Sequence, residues 1–125
     1  MAKVLGIGGV FFKAADPKAV RDWYARVLGF ELNDWGGVVW PKPSSGYGVW
    51  SVHEASTDYY DPSSAPFMIN FVVEDLEGVL AKAKAEGAEP VGDPVRDDYG
   101  HFAWLMDPAG VKIELWEPPA TSPKA

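Results

Sequence analysis

Ile7-Gly8-Gly9-Val10-Phe11-Phe12-Lys13, then Asp16-Pro17, then Leu28-Gly29-Phe30 make a run that the chain states a second time. The echo is Phe67-Met68-Ile69-Asn70-Phe71-Val72-Val73, then Asp75-Leu76, then Glu86-Gly87-Ala88. Asp16 recurs as Asp75 and Gly29 as Gly87, each pair separated by almost the same length of chain. Apolar and β-branched runs such as 4–12 and 67–73 read as buried strands. An aspartate before each following stretch supplies the side-chain acceptor that starts a helix, and Pro17 adds a preset φ. Val20, Trp23, Tyr24, Val27 and Leu28 then share one helical face, and Gly29 stops the helix in a left-handed conformation.

Shorter strands complete each half. They are expected at 30–32, 37–40 and 47–53 in the first, and at about 89–95, 101–106 and 111–116 in the second. Asn33-Asp34, 41–46 and Asp107-Pro108-Ala109-Gly110 supply the turns, the last of them closing a hairpin. The expected fold is α+β: two βαβββ modules, about 4–53 and 67–117, forming a mixed sheet with a cleft. A polar but aromatic connector, 54–66, joins them in one domain, and 118–125 reads as a frayed tail.

Composition narrows the function classes. The 125 residues carry a net charge of −7 with no basic cluster, which disfavours a nucleic-acid partner. No apolar run approaches the roughly 20 residues of a membrane span. The lack of cysteine removes disulfides, thiolate ligands and thiol nucleophiles, and fits a cytoplasmic setting.

Strand alternation separates the two sheet faces. Ile69, Phe71 and Val73 are expected against a helix, as are Val111, Ile113 and Leu115. Met68, Asn70 and Val72 take the opposite face, with Lys112, Glu114 and Trp116. In the first half, Val10 and Phe12 are assigned to the core, and Gly9, Phe11 and Lys13 to the cleft. Glu114 is the residue of greatest interest. A carboxylate in the closing strand is either a site residue or the partner of Lys112, Lys13 or an arginine, because buried charges are rarely left unpaired.

Gly9-Val10-Phe11-Phe12-Lys13 with Trp23-Tyr24-Ala25-Arg26-Val27-Leu28-Gly29-Phe30 resembles the opening of the vicinal oxygen chelate superfamily. The second half resembles its other module through Phe71-Val72-Val73-Glu74-Asp75-Leu76 and Asp107-Pro108-Ala109-Gly110-Val111-Lys112-Ile113-Glu114-Leu115. That superfamily includes glyoxalases, bleomycin-resistance proteins, extradiol dioxygenases and fosfomycin-resistance enzymes. The resemblance implies a metal between the modules, held by a histidine opening each one and a glutamate in the closing strand. Glu114 matches that glutamate, whereas the histidine positions fall on Gly9 and Met68. Glycine offers no ligand and a thioether suits hard or borderline divalent ions poorly. No metal or other cofactor is therefore expected.

Three functional readings follow. In the first, the chain binds a small organic molecule and acts as a metal-independent lyase or isomerase. Glu114 is then the base, and Tyr99 or His101 the proton donor. In the second, it binds or sequesters a small molecule without chemistry, as the resemblance to bleomycin-resistance proteins implies. Phe11, Trp50, Asn70, Tyr60 and Trp116 are the candidate contacts for a planar or cationic ligand. In the third, displaced ligands drawn from His53, Glu54, Asp98, His101 and Glu114 rebuild a metal site for glyoxalase or dioxygenase chemistry. His53 and Glu54 are neighbours on one strand and face opposite ways, so they cannot both reach one ion. The resemblance also implies a homodimer.

Overall fold

The structure, a computed structural model, describes residues 10–41 and 48–119. The proposed strand residues 4–9 and 47, with Gly9, and the tail beyond 119 lie outside them. The elements are α1 (Pro17–Leu28), β1 (Ile69–Val72), α2 (Leu76–Ala85), β2 (Val95–Asp97), β3 (Gly100–Met106) and β4 (Lys112–Glu117). The architecture is α+β, with the four strands in the order β1-β4-β3-β2. β1 runs parallel to β4, and the other neighbours are antiparallel.

Both helices start as the sequence predicts. The Asp16 carboxylate accepts from the Ala19 amide and that of Asp75 from Gly78. Gly29, at φ 70°, ends α1. α1 turns Val20, Tyr24 and Val27 inward, and α2 does the same with Leu76, Leu80 and Ala83. These meet Ile69, Ala103, Leu105, Ile113 and Leu115 from one sheet face in a single core. One such core residue contributes about 1.5–3 kcal/mol by leaving water.

Asp107 locks the β3–β4 turn. Its Oδ1 accepts from the amides of Ala109 and Val111, and its Oδ2 from the Tyr24 hydroxyl at 2.6 Å. The hairpin turn is thereby tied to α1. Burial, followed by the bond to Asp107, pushes the Tyr24 hydroxyl well above the usual phenol range.

Three expectations need correction. The expected strand at 89–95 is split: Pro90 bridges Leu105, and regular pairing resumes only at Val95. Gly92, at φ 70°, and Pro94, which has no amide hydrogen, interrupt the ladder. The segments 10–12, 30–32, 37–40 and 48–53 form no strand among the described residues. Val39 and Trp50 are 76% and 79% exposed, and a strand without a buried face has little to fix its register. Val10 and Phe12 are also exposed rather than part of the core.

Candidate functional site

The sheet face away from the helices carries the candidate site. Register places Trp104 opposite Glu114 and Phe102 opposite Trp116, and sets Asn70 beside Glu114. Side chains directly opposite across a ladder share a face. Lys112, Glu114 and Trp116 therefore stand with Phe102, Trp104 and Asn70, as alternation predicts for β4 and β1.

Glu114 is only 8% exposed and is surrounded by donors. Its Oε2 accepts from the Tyr59 hydroxyl at 2.5 Å and from Trp104 Nε1 at 2.9 Å. Its Oε1 accepts from Asn70 Nδ2 at 2.8 Å. All three partners are neutral side chains, and the salt bridges among the described residues lie elsewhere, at Lys18–Asp22 and Arg26–Glu86. Neither an ion pair nor a carboxylate standing open to the cleft describes Glu114. It is the anchor of a hydrogen-bonded aromatic cluster.

Lys112 completes that cluster from two residues away. Its ammonium donates to the Tyr59 carbonyl at 2.6 Å and lies 5.2 Å from the Tyr59 ring centroid and 5.7 Å from that of Trp104. Tyr59 is thus held at both ends by one strand, its hydroxyl by Glu114 and its carbonyl by Lys112. Burial, then the bond to Glu114, raises the Tyr59 hydroxyl above its ordinary range. Beyond Tyr59 the aromatic surface continues through Tyr60 and His53, joined by a 2.8 Å contact between the Tyr60 hydroxyl and His53 Nδ1.

The candidates from the sequence separate in space. Asn70 and Trp116 lie on the site face. Trp116 stacks on Phe102 at a 6.3 Å centroid separation, and its Nε1 donates to the Tyr99 carbonyl. Tyr60 adjoins the cluster through His53. Phe11, 91% exposed, and Trp50 stand on the surface of the first half. The Tyr99 side chain is exposed at the β2–β3 turn, and its backbone is what touches the site face.

His101 pairs with Glu117, an odd number of residues from Trp104, so it projects to the opposite sheet face. There its Nδ1 lies 3.1 Å from the Arg96 guanidinium. An acid–base pair of His101 with Glu114 is not assembled by this geometry.

A groove of about 270 Å³ opens on the site face, lined by Tyr59, Val95, Asp97, Phe102 and Trp104. Its aromatic walls, Tyr59, Phe102 and Trp104, are not among the contacts expected from the sequence. A second cavity of about 300 Å³ lies at the start of α1, between Lys13, Asp16 and Pro108, remote from Glu114.

The metal that the superfamily resemblance implies does not fit these residues. Glu114 spends its oxygens on three N–H or O–H donors, and an indole N–H and an amide NH₂ are not ligands. Lys112 brings a positive charge beside it. Among the described residues, no three His, Cys, Asp or Glu side chains come together in a metal-binding group, so the displaced set expected from His53, Glu54, Asp98, His101 and Glu114 is not assembled. Gly9 lies outside the described residues.

The paired motifs, the mixed sheet and the position of Glu114 define a glyoxalase-type domain. A sequence model of the glyoxalase-like domain family matches residues 9–116, and the chain belongs to that family, within the vicinal oxygen chelate superfamily. Comparison with curated protein sequences returns no match. Among solved structures, the chain is similar to TnmS3, an antibiotic binding protein from Streptomyces sp. CB03234. Identity is 22%, coverage 85% of this chain and 89% of that one, and the TM-score 0.53. It is also similar to TioX from Micromonospora sp. ML1, at 18% identity, 86% and 92% coverage and a TM-score of 0.51. A glyoxalase/bleomycin resistance protein from Streptomyces sp. CB03234 shares 20% identity over 83% and 93% of the two chains, with a TM-score of 0.51. At these identities the likeness is one of fold.

Proposed function

We propose that this chain binds a small organic molecule in the aromatic groove beside Tyr59 and Trp104 without transforming it. The observation that carries the reading is the state of Glu114. A carboxylate offers about four lone-pair positions, and three are occupied by Tyr59, Trp104 and Asn70. A general base needs a lone pair aimed at the proton it removes, whereas these bonds use Glu114 to hold the walls of a groove. Aromatic walls with few polar groups are the ordinary make-up of a small-molecule site. The antibiotic-binding description of TnmS3, on the same fold, supports a small-molecule ligand.

The test is a tryptophan-fluorescence titration against a panel of aromatic antibiotics, followed by mass spectrometry of the recovered ligand. Saturable quenching with the ligand returned unchanged is the expected result. Conversion that exceeds one turnover and disappears in Glu114→Gln would replace this reading with the lyase or isomerase one. The same proposal includes a cytoplasmic homodimer. It is supported by a chain without cysteine and by the exposed apolar side chains of Phe11, Val39, Val49 and Trp50 in the first half. Light scattering is expected to return the mass of two copies. Among the described residues, no helix is long and apolar enough to cross a membrane.

A further inference from the structure

We propose that the groove selects an arylalkyl amine, one whose basic nitrogen is set off from the ring by a carbon, with the Asp97 carboxylate as counter-ion to the ligand's ammonium group. This deepens the small-molecule reading above and rests on it. Five residues line the groove, and three of them are aromatic: Tyr59, Phe102 and Trp104. Val95 adds an aliphatic wall, and Asp97 is the one carboxylate of the lining.

The donors of the wall are already committed. The Tyr59 hydroxyl and Trp104 Nε1 both donate to Glu114. An anionic ligand would meet the Asp97 carboxylate and find no uncommitted side-chain donor among the five lining residues. Lys112 already lies within cation–π distance of the Tyr59 and Trp104 rings, so a ligand cation finds the ring of Phe102, with its negative quadrupole, and a carboxylate already set in place. Asp97 Oδ1 accepts from the Tyr99 amide at 2.8 Å, which fixes the side chain. Its Oδ2 has no hydrogen bond or ion pair among the described residues.

The surrounding charges leave that preference intact. Glu114 and Lys112 stand two residues apart on β4 with opposite charges, so their fields offset each other at the groove. Arg96 is next to Asp97, but alternation along β2 turns it toward His101 on the far face. Asp97 therefore sets the sign at the groove. Its field reaches the wall, since it is among the influences that raise the Tyr59 hydroxyl, after burial and Glu114. The net charge of −7 draws cations to the protein as a whole.

Three probes of one size decide the matter by isothermal titration calorimetry: 1-naphthylmethylamine, 1-naphthalenemethanol and 1-naphthylacetate. The amine is expected to bind about tenfold more tightly than the alcohol, a cation–π contact and a partly solvated ion pair together. The acetate is expected to bind most weakly. Asp97→Asn keeps an oxygen for the Tyr99 amide, and should bring the amine to within about twofold of the alcohol while leaving the alcohol unchanged. Added salt acts on the unmodified protein and should weaken the amine alone, so the question is answered even if the variant fails to fold. Equal affinity for amine and alcohol, or preference for the acetate, would overturn the amine proposal and leave the binding reading standing. Absence of binding by all three probes at millimolar concentration would overturn both for this groove.

Discussion

Removing the Tyr59 hydroxyl tests the central cluster with the smallest possible change. Tyr59→Phe keeps the ring, its edge-on contact with Trp104 at 6.3 Å and the backbone carbonyl that receives Lys112. It deletes one donor to a carboxylate that is 8% exposed. A hydrogen bond to a charged group contributes about 1.5–3 kcal/mol, and Tyr59 is itself 41% exposed, so water recovers part of the loss. The expected cost is about 1.5 kcal/mol in urea unfolding followed by circular dichroism, with an unchanged m-value. In a Glu114→Gln background the same deletion removes only a neutral bond, and should cost about 1 kcal/mol less. That difference is the coupling between the two side chains, which a double-mutant cycle isolates. Additive effects within 0.3 kcal/mol, or a Tyr59→Phe protein as stable as the original, would refute the claim that Glu114 holds the connector over the sheet. An ultraviolet titration of tyrosine gives an independent reading. The Tyr59 hydroxyl should ionise at lower pH in Glu114→Gln than in the original protein, because one cause of its elevation has been removed.

Other expectations are more local. A Cβ at Gly100, where φ is 129°, would lie 2.3 Å from the Glu117 carbonyl and 2.9 Å from Trp116 Nε1, so Gly100→Ala should cost about 2–4 kcal/mol in urea unfolding by combined strain and overlap. Tyr24 holds its proton more tightly when folded than when unfolded; its contribution to stability is complete below about pH 10 and then falls by about 1.4 kcal/mol per pH unit as the unfolded chain alone ionises. Urea unfolding at pH 9, 10.5 and 11.5 should show that steepening, and Tyr24→Phe should remove it. Asp16→Ala deletes the α1 cap and should lower stability by about 1 kcal/mol, read from the thermal midpoint. Chelator treatment should leave that midpoint unchanged, because the donors around Glu114 do not suit a metal; a drop of several degrees would contradict the assignment.

The sequence made the second module readable because several signals agreed there. Asp75, the apolar alternation of 69–73 and 111–116, and the Asp107–Gly110 turn all pointed to one arrangement, and each is satisfied by a hydrogen bond or a buried face. The first half carries similar signals, and its helix appears with the expected cap, buried face and glycine stop. Its strand segments differ because most of their large apolar residues stay exposed among the described residues, with Phe30 packed against the core, and alternation cannot reveal whether a partner face exists.

The site itself was more legible than single-residue reasoning made it. A hairpin closed by Asp107 and Val111 fixes its ladder, so Met106 opposes Lys112 and Trp104 opposes Glu114. Carried three residues further, the same register sets His101 against Glu117 and turns it away from Glu114. Residue type alone makes candidates of Glu114 and His101, whereas the register separates them and sets Trp104 beside Glu114. Tyr59 is a different case. It comes from the connector, 55 residues from Glu114, and no local period links the two. An aromatic pair in an otherwise polar segment was the only signal available, and it could not say which tyrosine would reach the sheet. Lys112 and Glu114 make that choice, one holding the Tyr59 carbonyl and the other its hydroxyl. Glu114 therefore organises the site face through its bonds to Tyr59, Trp104 and Asn70, and those same neighbours leave it ill suited to holding a metal.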